Sequence, residues 1–286
     1  MPSDHSRADD AARTSSGVVR FLVSQADRAV LRAGVAILCL VPISVAGALL
    51  DGRTLDGAQV WLKPLKFQIS VGIYLLTLAI MISLATERFR RSIAGRATVW
   101  TAISTSLFEI AWITLQAARA ERSHYATDTA FGQVMYALMG IGAVLLSLTP
   151  VVFAIAAWSS RSNDSSLRPL RWGVGLGAMV TLLGAAGVGI LLGGSPDHYP
   201  EPGTDPAEDP RVALAGWSTT GGDLRIAHFV GLHAMQGIPL LSLLLLRIPH
   251  RVAIAILITI ALAWAAAIVI LAQLALSDHA PWPLAR

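Results

Sequence analysis

Charged residues are scarce in this chain. Asp, Glu, Lys and Arg make up 14% of its 286 residues, whereas soluble domains carry about 25%. The deficit is concentrated in long apolar runs of roughly 18 residues or more, the length that crosses the hydrocarbon core of a bilayer. These runs occupy most of the chain and leave no room for a separate soluble domain.

Cysteine and the common catalytic motifs are also lacking. Cys39 is the only cysteine, so no intramolecular disulfide can form. The chain has no Walker-type loop, HExxH, CxxC or Ser/His/Asp motif. Its last apolar run has no lysine for a retinal Schiff base, which excludes a rhodopsin-like pigment.

The apolar runs predict an all-α, polytopic membrane protein built as a bundle of seven transmembrane helices. The expected spans are residues 30–50, 66–85, 97–118, 131–158, 170–193, 224–246 and 251–275. Around and within this membrane domain (29–276) we expect a flexible N-terminal tail (1–28), an extracytoplasmic loop (194–223) and a short C-terminal tail (277–286).

The distribution of positive charge predicts the orientation. The N-terminal tail and the even-numbered connections carry 14 of the 22 Lys and Arg residues, and the opposite side carries 8. By the positive-inside rule the N-terminus lies in the cytoplasm and the C-terminus outside, in a multi-pass protein of a plasma or inner membrane. The same rule accounts for the formal charge of +4, so membrane lipids are the expected partners and nucleic acid is not.

The third span carries a polar stripe centred on Glu109. An ionisable side chain at such depth costs about 2.5–3.5 kcal/mol, so it requires an explanation. At 100° per residue the stripe covers an arc of about 80°, which turns it towards protein or water. Its members are Thr105, Glu109, Trp112, Gln116 and Arg119. The functional interpretation makes Glu109 a base, ligand or proton carrier, and the structural alternative is interhelical hydrogen bonding.

The sixth span shows a second polar face. Asp223 precedes it and is expected to cap the helix. The face itself is formed by Arg225, His228, His233 and Gln236. On a straight helix His233 lies level with Glu109, which predicts a catalytic Glu109–His233 pair near the membrane centre.

Three histidines are candidate metal ligands. His228 and His233 are five residues apart, a poor spacing for chelation from one helix, so ligands from other helices are required. His124 and His228 lie at similar depths and could ligate a metal ion or a b-type haem. The alternative for each is a neutral, hydrogen-bonded packing residue.

Several cations are expected on the outer side of the membrane, which the positive-inside rule leaves poor in Lys and Arg. Lys63, Lys66, Arg119, Arg122 and Arg225 are expected at one mouth of the bundle. They could hold a phosphate or carboxylate together with Gln116 and Gln236. The alternative is snorkelling towards the interface and pairing with the acidic loop.

These features leave three functions open. The leading hypothesis is an outward-facing intramembrane site, dependent on a metal or haem, for redox or hydrolytic chemistry on a lipid or quinone-like substrate. The second is a proton-coupled transporter that uses Glu109 and His233 at the midplane. The third is a non-catalytic membrane scaffold or sensor.

Overall fold

The computed structural model describes residues 15–159, 167–194, 211–212 and 214–281. The α-helices are α1 (Ser15–Ser24), α2 (Arg28–Leu38), α3 (Val41–Leu50), α4 (Leu62–Ile82), α5 (Glu87–Arg91), α6 (Ile93–Arg119), α7 (Ala130–Trp158), α8 (Arg168–Thr181), α9 (Val188–Gly194), α10 (Leu224–Leu232), α11 (Ala234–Leu244) and α12 (His250–Leu276). A π-helical segment, Leu182–Gly187, joins α8 to α9. Two short antiparallel strands, β1 (Thr54–Leu55) and β2 (Ala58–Gln59), complete the described elements.

The helices are those of a multi-pass membrane protein. Within the described residues, six helical stretches are long and apolar enough to cross a membrane, and the count reaches seven if α10 and α11 form one bent span. The all-α, polytopic prediction is therefore confirmed. The predicted spans begin and end within a few residues of the observed helices, because apolar length alone determines these limits.

The N-terminal region differs from the predicted flexible tail over residues 1–28. Residues 15–24 form α1, whose Val18 and Leu22 are buried in a cluster with Leu170 and Val174 of α8. Residues 1–14 and the last five residues lie outside the described part of the chain. So does most of the predicted loop 194–223, including Asp197, Glu201, Asp205, Glu208 and Asp209.

A β-hairpin between α3 and α4 was not predicted. Its turn, Asp56-Gly57, has positive φ at both residues (51° and 73°), the geometry of a tight hairpin turn. The Asp56 carboxylate accepts from Arg122 at 2.7 Å, which ties the hairpin to the connection after α6. We call this end of the bundle, with residues 51–61 and 120–129, the hairpin end.

Backbone groups that the helices leave unpaired are satisfied by neighbouring helices. Pro150 has no N–H for the carbonyl of Leu146, and the Tyr74 hydroxyl of α4 donates to that carbonyl at 2.9 Å. The Thr149 hydroxyl of α7 also donates to this carbonyl, at 3.1 Å. An unpaired carbonyl at membrane depth would cost several kcal/mol, so the two bonds help α7 to tolerate an internal proline.

The predicted sixth span, 224–246, is broken at His233. Helices α10 and α11 meet there at 44°. The Trp264 indole of α12 donates to the Val230 carbonyl at 2.9 Å, one turn before the break. Beyond the break, the Met235 N–H donates to the Thr181 hydroxyl of α8 at 2.9 Å. Two neighbouring helices thus stabilise the bend.

The break faces the π-helical segment through a contact between two glycines. A Cβ on Gly231 would lie 2.7 Å from the Gly184 carbonyl carbon, and a Cβ on Gly184 would lie 2.8 Å from the Gly231 Cα. Only glycine allows the two backbones to approach this closely.

We expect Gly231→Ala to destabilise the fold, because its methyl group would overlap a backbone atom that cannot turn aside. The expected loss is about 1–3 kcal/mol, measured as a lower Tm in detergent. Gly140→Ala is the matched control, since a Cβ there meets nothing within 4 Å. Equal melting temperatures for the two variants would contradict this account of the crossing.

Candidate functional site

The carboxyl group of Glu109 lies between α6 and α7 at the hairpin half of the bundle. Glu109 is 5% exposed, and a Cβ added to Gly142 would lie 2.7 Å from its Oε1. Gly142 therefore provides the space that the carboxyl group occupies. Oε1 has no hydrogen-bond partner among the described residues.

Glu109 and His233 do not form the predicted pair. No hydrogen bond or ion pair joins them in the part of the chain that the structure describes. The His233 ring instead packs against Phe229, with centroids 4.2 Å apart. The prediction rested on equal depth in the membrane, which does not determine the direction in which a side chain points.

His228 lies against the fifth span. Its ring lies near the backbone of Ala185 in the π-helical segment. A Cβ on Gly189 would lie 3.3 Å from its Cε1. These contacts match the packing alternative, although His228 Nδ1 has no partner among the described residues.

His124 occupies a third location, beside α4 and α7. Its ring centroid lies 5.9 Å from that of Phe67 and 6.5 Å from that of Tyr136. Its Nδ1 lies 3.1 Å from the Ser123 hydroxyl oxygen. Trp112 of the polar stripe donates to the Ser123 carbonyl at 3.0 Å, and so it helps to position His124.

The three candidate metal ligands thus contact different neighbours. Within residues 15–159, 167–194, 211–212 and 214–281, no group of three His, Cys, Asp or Glu side chains could hold a metal ion. The histidine of the predicted loop, His198, lies outside those ranges. The described donor set does not fit the predicted metal centre, and haem binding gains no support from it.

Most of the predicted cations have acceptors within the protein. Lys66 donates to the Ala215 carbonyl at 3.0 Å. Arg119 pairs with Glu121 at 2.8 Å, and Arg122 pairs with Asp56. Glu121 and Asp56 lie outside the predicted acidic loop 194–223, so the acidic partners of Arg119 and Arg122 differ from those of the structural alternative.

Arg225 is held by the residue that caps its helix. Asp223 is buried and accepts from the backbone N–H of Arg225 at 2.9 Å, which confirms the predicted cap. The Arg225 guanidinium donates to the same carboxylate at 2.5 Å and to the Gly216 carbonyl at 2.7 Å. The cation is thus part of a local network around the start of α10.

Lys63 is the exception among the five. No hydrogen bond or ion pair holds its ammonium group within the described residues, although it lies near enough to Glu109 for their charges to interact. Its charge also acts on His124. The charge of Lys63 thus acts on both Glu109 and His124, and we call these three residues, in the half of the bundle nearer the hairpin end, the Lys63 cluster.

Two glutamines near this cluster carry buried oxygens without partners. Gln116 is 4% exposed; its amide nitrogen donates to the Arg122 carbonyl at 3.0 Å, whereas its Oε1 has no partner among the described residues. Gln68, in the middle of α4, is 1% exposed and its Oε1 is likewise unpaired there. Buried polar atoms normally bind a partner, which can be water or a ligand.

Gln68 was not among the predicted site residues. Its signal was present in the sequence, since it is an amide within the apolar run of the second span. Gln68 lies on the second span, whereas the predicted polar stripe around Glu109 lies on the third. Its Nε2 lies 3.4 Å from the Thr114 hydroxyl, so it faces α6 rather than lipid.

We expect stability to fall as the pH drops below about 6.5, partly because of His124. Burial, and then the positive charge of Lys63, lower the pKa of His124 well below 6.5. Below this pH the ring binds a proton in the unfolded chain but stays neutral in the folded protein. The contribution of His124 to stability is therefore complete above pH 6.5 and is lost as the pH decreases. His124→Phe keeps the ring contacts but cannot take up a proton. Its Tm should therefore depend less steeply on pH between 7.5 and 5, and the difference in slope should correspond to about one titrating group. An unchanged slope would count against the buried neutral ring.

Comparison of the chain with protein-family models found no matching family. Comparisons with curated proteins and with solved structures found no match either.

Proposed function

We propose that this multi-pass membrane protein binds a small ligand bearing an acidic group, a carboxylate or a phosphate, at the Lys63 cluster. Lys63 would pair with the acidic group of the ligand, and Glu109 would exchange a proton with it. The observation that carries the proposal is the combination of an ammonium group without a protein acceptor and a buried carboxyl oxygen without a donor.

The composition of the cluster supports an acidic ligand rather than a metal ion. Of the five cations at this end, Arg119, Arg122 and Arg225 pair with Glu121, Asp56 and Asp223, and Lys66 donates to a backbone carbonyl. Among these five, only the Lys63 ammonium group has no acceptor in the described part of the chain. Charge-assisted hydrogen bonds to an anion are stronger than neutral ones. Gln68 and Gln116 add acceptor oxygens that suit a hydroxyl or a protonated acid.

We also propose that α10 and α11 form one bent span, which gives seven spans with the N-terminus inside and the C-terminus outside. The excess of Lys and Arg on the N-terminal side supports this orientation. The hairpin end then faces the extracytoplasmic space, and an acidic ligand would reach the Lys63 cluster from that side.

A transporter is the second candidate, and the interrupted helices support it. Discontinuous spans with unpaired backbone groups are typical of carriers that bind substrate near the midplane. Here the break at His233 and the π-helical segment contact each other through Gly231 and Gly184. Joint movement of ligand and protons into sealed vesicles is the measurement that separates a carrier from a receptor or an enzyme. Redox or hydrolytic chemistry stays a prediction.

The proposal predicts selective stabilisation by acidic amphiphiles. Dodecyl phosphate or laurate should raise the Tm of the purified protein, whereas dodecanol and dodecylamine should not. Inorganic phosphate tests whether the alkyl chain is required, and decyl-quinone tests the quinone-like alternative. Lys63→Met should weaken binding of the acidic probe roughly tenfold or more, as expected for loss of a charge-assisted bond.

Two glycines on α7 provide a matched pair for the same measurement. Gly142→Ala should displace the Glu109 carboxyl group and weaken probe binding, because its Cβ would lie 2.7 Å from Oε1. Gly140→Ala, one half-turn away in open space, should bind as the natural protein does. Retained binding in Lys63→Met, with a normal Tm in the absence of probe, would refute the site.

The topology can be tested with reporters fused at two positions. Alkaline phosphatase attached after Arg286 should be active if the C-terminus is outside, because the enzyme matures only there. The same reporter after Pro249, before α12, should be inactive, and a fluorescent protein there should be bright. An active phosphatase at Pro249, or an inactive one at Arg286, would contradict seven spans with this orientation.

A further inference from the structure

A groove lies at the end of the bundle opposite the hairpin end, between α5 and the last turns of α7. Its volume is about 420 Å³. Phe89 on α5 and Val152, Ile155 and Ala156 on α7 form its apolar wall. Ile155 is 55% exposed, so the groove opens towards the side of the bundle that would contact lipid chains.

The rim of the groove carries a cation without a counter-charge. Arg88 lines the groove and is exposed, and it has no ion pair or hydrogen bond in the part of the chain that the structure describes. The other two arginines of α5 share one carboxylate, since both Arg90 and Arg91 pair with Glu87. The helix α5 therefore has an excess of positive charge, and Arg88 carries the uncompensated part.

The fold holds α5 firmly in this place. Thr86 caps α5 by accepting from the Phe89 N–H at 3.2 Å. A Cβ on Gly95 would lie 2.2 Å from the Phe89 carbonyl oxygen, so only glycine lets the first turn of α6 pack this closely against α5. Packing of α5 against α6 thus fixes the groove wall at Phe89 and the backbone position of Arg88 at its rim.

We propose that this groove binds one anionic phospholipid, with an acyl chain along the apolar wall and the phosphate at Arg88. The depth of the groove in the membrane supports this occupant. Trp158, three residues beyond Ile155, contacts Trp172, and their ring centroids are 5.7 Å apart. Exposed tryptophans concentrate where the hydrocarbon core meets the headgroups. An apolar wall below a cation at that level matches the two parts of an anionic lipid.

Native mass spectrometry of the full chain in detergent tests the proposal, with dioleoyl phosphatidylglycerol and dioleoyl phosphatidylcholine as probes. We expect one phosphatidylglycerol to bind several-fold more tightly than phosphatidylcholine. Arg88→Ala should weaken the first lipid about fivefold, the effect of one cation near a lipid surface. Arg91→Ala is the matched control on the same helix, because it removes the same charge away from the groove.

Three outcomes would overturn the proposal. Equal binding of the two lipids would show that charge plays no part. Equal weakening by Arg88→Ala and Arg91→Ala would indicate diffuse attraction to the whole helix rather than a site. Ile155→Trp fills the groove from its exposed side and should also weaken binding, so unchanged binding in that variant would show that the acyl chain lies elsewhere.

Discussion

The structure depends on one constraint: every backbone N–H and C=O at membrane depth must have a partner, because no water is present there to supply one. Uninterrupted helices meet this requirement by themselves. At Pro150 and at the break at His233, a neighbouring helix supplies a side chain. The observed bonds are Tyr74 to Leu146, Trp264 to Val230, and Met235 to Thr181. These bonds determine which helices must be neighbours.

The same requirement explains how much of the fold could be predicted from the sequence. Span positions follow from apolar length, and the Asp223 cap follows from residue type and position. The position of the break, at His233, could not be predicted, since the bonds that stabilise it come from Trp264 and Thr181, which are distant in the chain. The pairing of Glu109 with His233 is not observed, because residue counting gives the depth of a side chain but not the neighbour it faces, and the His233 ring packs against Phe229.

The hairpin shows a different limit of prediction. Asp56-Gly57 is a strong turn signal, but the short segment between two long apolar runs was not predicted to form a hairpin. Once formed, the hairpin places Asp56 beside Arg122 and Asp51 beside Arg53. Bonds from Arg53 and Trp61 hold the pKa of Asp51 below its usual range. Three of the five cations predicted at this end are therefore paired with carboxylates. That Lys63 has no such partner could be seen only once the partners of the other cations were known.

The crossing of Gly184 and Gly231 has a mechanical consequence. Two main chains that touch without intervening side chains fix the distance between α10 and the π-helical segment, since any side chain at Gly184 or Gly231 would force the two backbones apart.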